Sequence, residues 1–411
     1  MLRFGFVRVG GVVAAAAALA LAACGGTVSG GGGGGSAGEG GTGGAGGIGT
    51  GGTGGAGGIG TGGAGGAGGI GTGGAGGAGG IGTGGAGGAG GGQGGQGGQG
   101  GGMSLPDCIE GSPVVLAMDR LLIGDTNPDG TPNYTSGWKQ YGRNIDGLVS
   151  TKNSVDVCKP AAGASPAGAY PDGDNGIDNS FGRNILPMFL GLSSDLSMVQ
   201  NEAIANGELT YLLSVASLGQ NTCSTSSKLF LGANLGKQPA FDGSDVWPID
   251  ASSLTDPADA TSAVCSFPST AITPGLVDAG PPSQFTLLLL KLGAGDLKLP
   301  IHQARISLQL DDNQASAMNG QISGVLYTKE LTDAMQKVAA QFDESFCDPS
   351  SPTLQSILNQ IRQASDILSD GTQDPNKECD AISIGIGFTM KSAQLGGVVP
   401  AAPPPPDPCV P

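Results

Sequence analysis

The sequence contains few of the residues from which catalytic sites are commonly built. Its 411 residues include one histidine and two tryptophans, and aromatic residues make up 4% of the chain. The single histidine, His302, stands between Ile301 and Gln303 on an expected strand, which favours a structural role over general-base catalysis. No GxSxG, HExxH or P-loop pattern occurs. So few aromatic residues also give little support for sugar-stacking platforms, and Trp138 and Trp247 fit a core equally well.

Basic residues are scarce as well. The chain has 18 Lys and Arg against 34 Asp and Glu, a net charge of -16. Without Arg3 and Arg8 of the N-terminal segment, 16 basic residues face 34 acidic ones, so the charge becomes -18. Such a chain is repelled by nucleic-acid phosphates and by anionic lipid surfaces, so we expect no nucleic-acid partner. It suits a cation-rich exterior or divalent ions bound among carboxylates.

The N-terminal segment has the pattern of a secretory signal that ends in a cysteine. Residues 1–23 combine the basic Arg3 and Arg8 with an apolar run that is too short to span a bilayer as a stable helix. The run ends in Leu21-Ala22-Ala23-Cys24-Gly25, which resembles the lipobox of bacterial lipoproteins. The resemblance implies cleavage before Cys24, acylation of that cysteine and attachment to a membrane. Gly25 in place of Asp resembles the signal for the outer membrane, so we expect an outer-membrane lipoprotein with its domain in the periplasm or on the cell surface.

Residues 24–103 hold most of the 82 glycines of the chain. Ile48, Ile59, Ile70 and Ile81 recur every 11 residues, a spacing that excludes the three-residue period of collagen. Little here can bury apolar surface, so the tract is expected to be a disordered linker with an r.m.s. span of roughly 50 Å.

Residues 104–399 are expected to form the folded domain, followed by an extended Pro-rich tail over residues 400–411. Alternation predicts strands over Ala381–Met390 and Leu209–Val215, and the apolar run Phe285–Leu292 indicates a strand buried on both faces. Apolar residues change phase between Leu297–Ile301 and Ile306–Leu310, which predicts a bulge near His302-Gln303.

Helices are predicted over residues 194–206, 328–342 and from Pro352 to about Leu368, with Ser351 as the N-cap of the last. Strands outnumber helices, and two helices lie close to the C-terminus. We therefore expect a β-rich α+β class, with a β-sandwich-like domain and a C-terminal helical pair.

Cysteine spacing excludes CxxC zinc and thioredoxin-like sites. Export favours disulfides among the seven cysteines after Cys24. Cys347 with Cys379 would bracket the second C-terminal helix, and Cys223 with Cys265 would close a second loop. Cys108, Cys158 and Cys409 would supply a third bridge and one odd thiol, but the spacing does not fix the pairing.

Two Asp-rich runs are candidate Ca²⁺ loops. Asp172, Asp174 and Asp178 lie in a run that resembles the opening of thrombospondin type 3 and EF-hand loops, yet Arg183 stands where a bidentate Glu would be needed. The run Asp125-Thr126-Asn127-Pro128-Asp129-Gly130 begins in the same way and also lacks the Glu. Both runs could instead be surface Asx-turns.

Gly142–Gly147 and Asp178–Asn184 resemble segments of uncharacterised lipoproteins of myxobacteria, a group that implies no activity. We expect a lipid-anchored cell-envelope protein whose non-catalytic domain binds an envelope or extracellular partner or has a structural role, with Ca²⁺ as a candidate cofactor. One alternative is a glycosidase-like hydrolase that uses two carboxylates among Asp119, Asp146, Asp178 and Asp245. A second is an apolar-ligand carrier, suggested by Leu287–Leu290.

Overall fold

The structure is a computed structural model of the whole chain, and it contains two compact units, Met1–Gly102 and Met103–Pro411. In the second unit it describes residues 105–109, 113–192, 194–218, 221–280, 285–292, 295–341, 344–401, 403 and 409. In the first it describes only four short strands. No helix in these described ranges is both long and apolar enough to cross a membrane.

The four strands of the first unit are β1 (Ile48–Thr50), β2 (Ile59–Thr61), β3 (Ile70–Thr72) and β4 (Ile81–Thr83). They pair in parallel in chain order, with each isoleucine in register with the isoleucine of the next repeat. These twelve residues differ from the coil expected for the tract. The rest of the tract lies outside the described residues, where disorder stays a prediction.

The second unit is built on a closed antiparallel β-barrel. Its eight barrel strands are β5 (Val114–Leu122), β6 (Thr210–Val215), β7 (Cys223–Gly232), β9 (Cys265–Thr273), β10 (Leu276–Ala279), β12 (Gly295–Leu310), β13 (Ser316–Tyr327) and β14 (Ala381–Ser392). Each pairs with the next barrel strand, and pairing of β14 with β5 closes the ring. The predicted β-rich class is confirmed. The predicted sandwich arrangement differs from the structure, because every barrel strand pairs with a neighbour on both sides and the strands form one closed ring.

Three further strands lie outside the ring. β11 (Phe285–Leu292) pairs with the first half of β12. β8 (Val246–Asp250) joins β7 at a single pair, Gly232 with Ile249, and β15 (Gln394–Val399) runs parallel to β8. Trp247 and Ile249 of β8, with Leu395 and Val398 of β15, cover the outer face of β5, β6 and β7, where Ala117, Leu212 and Phe230 form a second buried cluster.

Alternation along the strands separates the inside of the barrel from the outside. On β12, Ile306 and Leu308 are buried, whereas Arg305 and Gln309 are exposed. The inward-facing apolar residues of all eight barrel strands belong to one apolar cluster, which fills the interior. The phase change on β12 is a bulge, because Gln303 has φ 51° and the pairing with β13 shifts between His302 and Arg305. The bulge predicted at His302-Gln303 is confirmed.

The helices are α1 (Pro166–Ala169), α2 (Leu186–Leu192), α3 (Leu196–Ala205), α4 (Thr328–Ala339) and α5 (Pro352–Gln363). A π-helical turn, Phe181–Ile185, leads into α2. The buried faces of α3, α4 and α5 join the barrel cluster through residues such as Ile204, Met335 and Leu358. The predicted C-terminal pair is confirmed, although α5 ends at Gln363 and leaves Leu368 in the following loop.

Four 3-10 turns complete the second unit: Gly137–Gln140, Asp174–Gly176, Ala251–Ser253 and Glu344–Cys347.

Three disulfides tie distant parts of the unit together. They join Cys108 to Cys223, Cys158 to Cys379 and Cys347 to Cys409, and Cys265 is a buried free thiol. The expected pairs Cys347–Cys379 and Cys223–Cys265 were therefore wrong. The predicted pairs joined cysteines that are close in sequence. In the structure Cys265 lies in the barrel core, and the bonded cysteines are 62 to 221 positions apart.

Candidate functional site

The candidate site lies in the segment between β5 and α2, which packs on the outer face of β13 and β14. This segment can approach the sheet because Gly385 and Gly387 leave room on β14: a Cβ at either position would overlap Tyr141. Tyr141 is 1% exposed, and its hydroxyl donates to the carbonyl of Thr126 at 2.8 Å. The large residues of β14 therefore pack in the barrel core, and the small residues that alternate with them lie against this segment.

Asn179 holds the segment on the strand. Its Nδ2 lies within 3.1 Å of the carbonyl oxygens of Trp138, Tyr141 and Gly385. Its Oδ1 accepts from the backbone N–H groups of Gly182 and Gly385. Because Asn179 is buried, loss of this side chain would leave several backbone groups without a partner.

Four carboxyl groups, three from this segment and one from the loop after α5, form what we call the carboxylate layer: Asp146, Asp172, Asp178 and Asp366. Asp172 accepts from the N–H of Ser150 at 2.5 Å, and Asp178 accepts from the N–H of Ile145 at 2.5 Å. Asp366 accepts from both the N–H and the hydroxyl of Ser383.

Asp146 is linked to the rest of the layer through Gln373. The Nε2 of Gln373 donates to Asp146 Oδ2 at 2.7 Å and to the carbonyl of Asp366 at 3.0 Å. The N–H of Asp146 also lies 3.3 Å from Asp178 Oδ2. Hydrogen bonds thus link Asp146, Asp178 and Asp366 across β14, the loop after α5 and the segment between β5 and α2, whereas Asp172 is coupled to Asp146 through charge repulsion.

Burial raises the pKa of three of these acids. It raises the pKa of Asp178 to about 9, that of Asp366 to about 7 and that of Asp172 to about 6. Repulsion from Asp146 adds to the increase in each case, while hydrogen bonds from backbone N–H groups oppose it. Near neutral pH, Asp178 therefore keeps its proton and the layer carries less negative charge than four carboxylates would.

A cavity of about 320 Å³, which we call the Trp138 pocket, opens beside the layer. Its lining combines aromatic, basic and acidic residues, namely Tyr134, Trp138, Lys139, Asp172 and Arg183. Thr135 and Pro171 complete the lining. Asp172 is the one member of the carboxylate layer among these residues.

Two cationic side chains lie close to the ring of Trp138. The Arg183 guanidinium carbon lies 5.7 Å from the ring centroid and the Lys139 Nζ lies 5.9 Å from it. Arg183 is fixed by donation to the carbonyls of Pro171 and Ala167 at 2.8 and 2.7 Å. Burial lowers the pKa of Arg183, an effect that Asp366 and Asp172 oppose.

The structure separates the three residues of the first predicted ion loop. Asp172 and Asp178 belong to the carboxylate layer, where each accepts from a backbone N–H, whereas Asp174 is exposed in the turn Asp174–Gly176. No group of three His, Cys, Asp or Glu able to hold a metal ion occurs among the described residues. Ca²⁺ binding stays a prediction.

In the second predicted loop the side chains bind one another or their neighbours. Asp125 accepts from the Ser197 hydroxyl at 2.7 Å, and Asn127 bonds to Thr131 and Asn133. Asp129 accepts from the N–H and the hydroxyl of Thr131, the arrangement of an Asx-turn, and these bonds lower its pKa.

Of the candidate carboxylate pairs, the structure brings together only Asp146 and Asp178. Asp119 accepts from Thr389 on the barrel, and Asp245 is buried 3.2 Å from Lys237 Nζ. His302 lies at the bulge, 2.8 Å from Glu330 and stacked on Tyr327, consistent with its expected structural role.

Sequence reasoning missed Asp366, Arg183 and Lys139 as members of this site. Asp366 stands in an ordinary loop after α5, and nothing in its neighbours signals a buried acid. The pocket could have been suspected from the sequence, because two aromatic residues and a lysine, Tyr134, Trp138 and Lys139, lie within six positions of one another. No protein-family model matches the chain, and neither does any curated protein or solved structure.

Proposed function

We propose that this protein is a lipid-anchored cell-envelope protein whose extracytoplasmic barrel is a binding module rather than an enzyme. The proposal rests on the lipobox at Cys24, followed by a long glycine-rich tract and a domain with three disulfides. Disulfides of this kind persist in oxidising compartments, which supports export. The outer-membrane location is part of the proposal and comes from Gly25.

The disulfides are the observation that carries the proposal. The bond between Cys158 and Cys379 closes 221 residues, and that between Cys108 and Cys223 closes 115 residues. Both bonds lie in the unit that carries the Trp138 pocket, so the pocket belongs to a domain suited to an oxidising environment.

The anchor can be tested by expressing the full-length chain in a Gram-negative host with an alkyne fatty acid in the medium. We expect the wild type to take up the label and to fractionate with the outer membrane. Cys24→Ser should lose the label, and Gly25→Asp should move the labelled protein to the inner membrane. Cys265→Ser is the matched control, because this free thiol is buried and should not affect labelling. Equal labelling of wild type and Cys24→Ser would contradict the proposal.

A carboxylate-dependent hydrolase is the second candidate, and one observation favours it. Asp172 lines the pocket with its pKa raised to about 6, which suits a general acid. A glycosidase also needs a second carboxyl group facing the substrate, and Asp146, Asp178 and Asp366 are not among the pocket-lining residues. Release of reducing ends from a polysaccharide, abolished by Asp172→Asn, would establish this activity.

The apolar-carrier alternative stays a prediction. Leu287–Leu290 lie on β11, whose side chains are outside the described residues.

A further inference from the structure

We propose that the Trp138 pocket binds a small carboxylate that also carries hydroxyl groups, the chemistry that uronic acids share with hydroxy acids. This inference rests on the proposed binding function and names its ligand class. It is carried by the two cations, the aromatic rings and the single carboxyl group that share one cavity.

Two cationic side chains line the pocket. In a chain with net charge -16, Lys139 and Arg183 both line the pocket. Among the residues that the structure describes, neither forms an ion pair within 4 Å. A ligand carboxylate would supply the missing anion, with charge-assisted hydrogen bonds from both side chains.

The guanidinium of Arg183 is held in a fixed position. Two of its N–H donors already bind the carbonyls of Pro171 and Ala167, and Trp138 lies against the guanidinium. Arginine keeps its charge in proteins and has five N–H donors, so donors remain for a ligand.

The neutral part of the ligand follows from the other lining residues. Asp172 can accept a hydrogen bond from a ligand hydroxyl, and the hydroxyl of Thr135 is available as donor or acceptor. Tyr134, 63% exposed, offers a ring face at the rim. A cavity of about 320 Å³ lies at the lower end of the range for small-molecule sites, which fits a single sugar-sized acid.

The test uses the full-length chain in detergent, labelled with 5-fluorotryptophan. Only Trp138 and Trp247 then give ¹⁹F signals, and Trp247 lies in a separate buried cluster, so it serves as an internal reference. The two signals are assigned with Trp138→Phe. We expect sodium glucuronate to shift the Trp138 signal saturably, while glucose and acetate do not. A parallel titration with glycerate decides whether a sugar ring is needed.

Variants then locate the site. Lys139→Gln should weaken glucuronate binding about tenfold, the factor that corresponds to one charge-assisted hydrogen bond. Asp172→Asn should leave carboxylate binding in place but reduce the preference over acetate. Lys152→Gln, an exposed lysine outside the pocket, is the matched control and should bind as the wild type does.

Three results would overturn the inference: no saturable shift with any carboxylate, equal response to glucose and glucuronate, or unchanged affinity in Lys139→Gln with the thermal unfolding curve intact. None of these affects fatty-acid labelling at Cys24, so failure of the ligand assignment is distinguishable from failure of the proposed anchor.

Discussion

At the residue scale, the carboxylate layer makes the stability of the barrel unit depend on pH. Asp178, Asp366 and Asp172 have pKa values above the ordinary aspartate value, so the folded chain holds more protons than the unfolded chain between about pH 4 and 9. The free energy of unfolding must then fall as the pH rises through this window. Exposed acids with lowered pKa, such as Asp129 and Asp259, act in the opposite direction below about pH 4.

We therefore predict that the melting temperature is highest near pH 4–5 and declines towards pH 9. Asp178→Asn removes the group with the largest increase in pKa and keeps an oxygen for the N–H of Ile145. It should raise the free energy of unfolding at pH 8 by at least about 1 kcal/mol and flatten the decline, as measured by thermal unfolding at a series of pH values. Asp174→Asn, at an exposed position of the same run, is the control. A variant that declines as steeply as the wild type would show that the layer does not hold these protons.

At the element scale, β14 has one face of large apolar residues and one face of small residues. The site segment can pack on the strand only because the second face carries glycine at 385 and 387. A Cβ at Gly385 would overlap the backbone of Tyr141 and Gly142. Gly385→Ala should therefore push the segment off the strand and cost about 3 kcal/mol of stability. In contrast, a Cβ at Gly397 on β15 would meet no atom within 4 Å, so Gly397→Ala should change stability by less than about 0.5 kcal/mol. Denaturant unfolding of both variants compares them directly, and equal stabilities would contradict the docking described for β14.

Elements with a clear period were predictable. The strand at Ala381, the helices α4 and α5 and the bulge at Gln303 all follow from apolar spacing that continues over eight or more residues. β13 was missed because Gly320 and Gly324 occupy its core face, next to Phe388 and Ile301, so that face shows little apolar pattern. These glycines are needed because neighbouring side chains occupy the space of a Cβ in the folded protein. The pattern of apolar residues along the sequence carries no information about such contacts.

At the scale of the whole molecule, the disulfides join elements that lie far apart in sequence. We predict that the double variant Cys158→Ala/Cys379→Ala lowers the free energy of unfolding by about 3 kcal/mol, since the bond closes a loop of 221 residues and clamps the loop after α5 onto the segment that bears the site. Thermal unfolding measures the loss. Cys265→Ala, which breaks no bond, is the control for the change of cysteine itself. A double variant as stable as this control would show that the clamp contributes nothing.

The ring closure and the gathering of the carboxylate layer could not be read from the sequence. Alternation gives each strand one inward face in a sandwich and in a barrel alike, and only the hydrogen bonds between β7 and β9 and between β14 and β5 distinguish them. Likewise, Asp146 and Asp366 are 220 positions apart and meet through Gln373. The proposed anchor motif, by contrast, is local, so the expectation of acylation at Cys24 needs only five consecutive residues and stays a prediction.

The bond between Cys108 and Cys223 also determines how the barrel bears mechanical load. Tension along the glycine tract reaches the barrel unit at Cys108, a few residues before β5 begins at Val114. The sulfur bridge passes part of that pull to the start of β7, while the rest continues along the chain into β5. If the chain is held at Cys24 as proposed, such tension would therefore be shared between two neighbouring parts of the barrel and would not act on β5 alone.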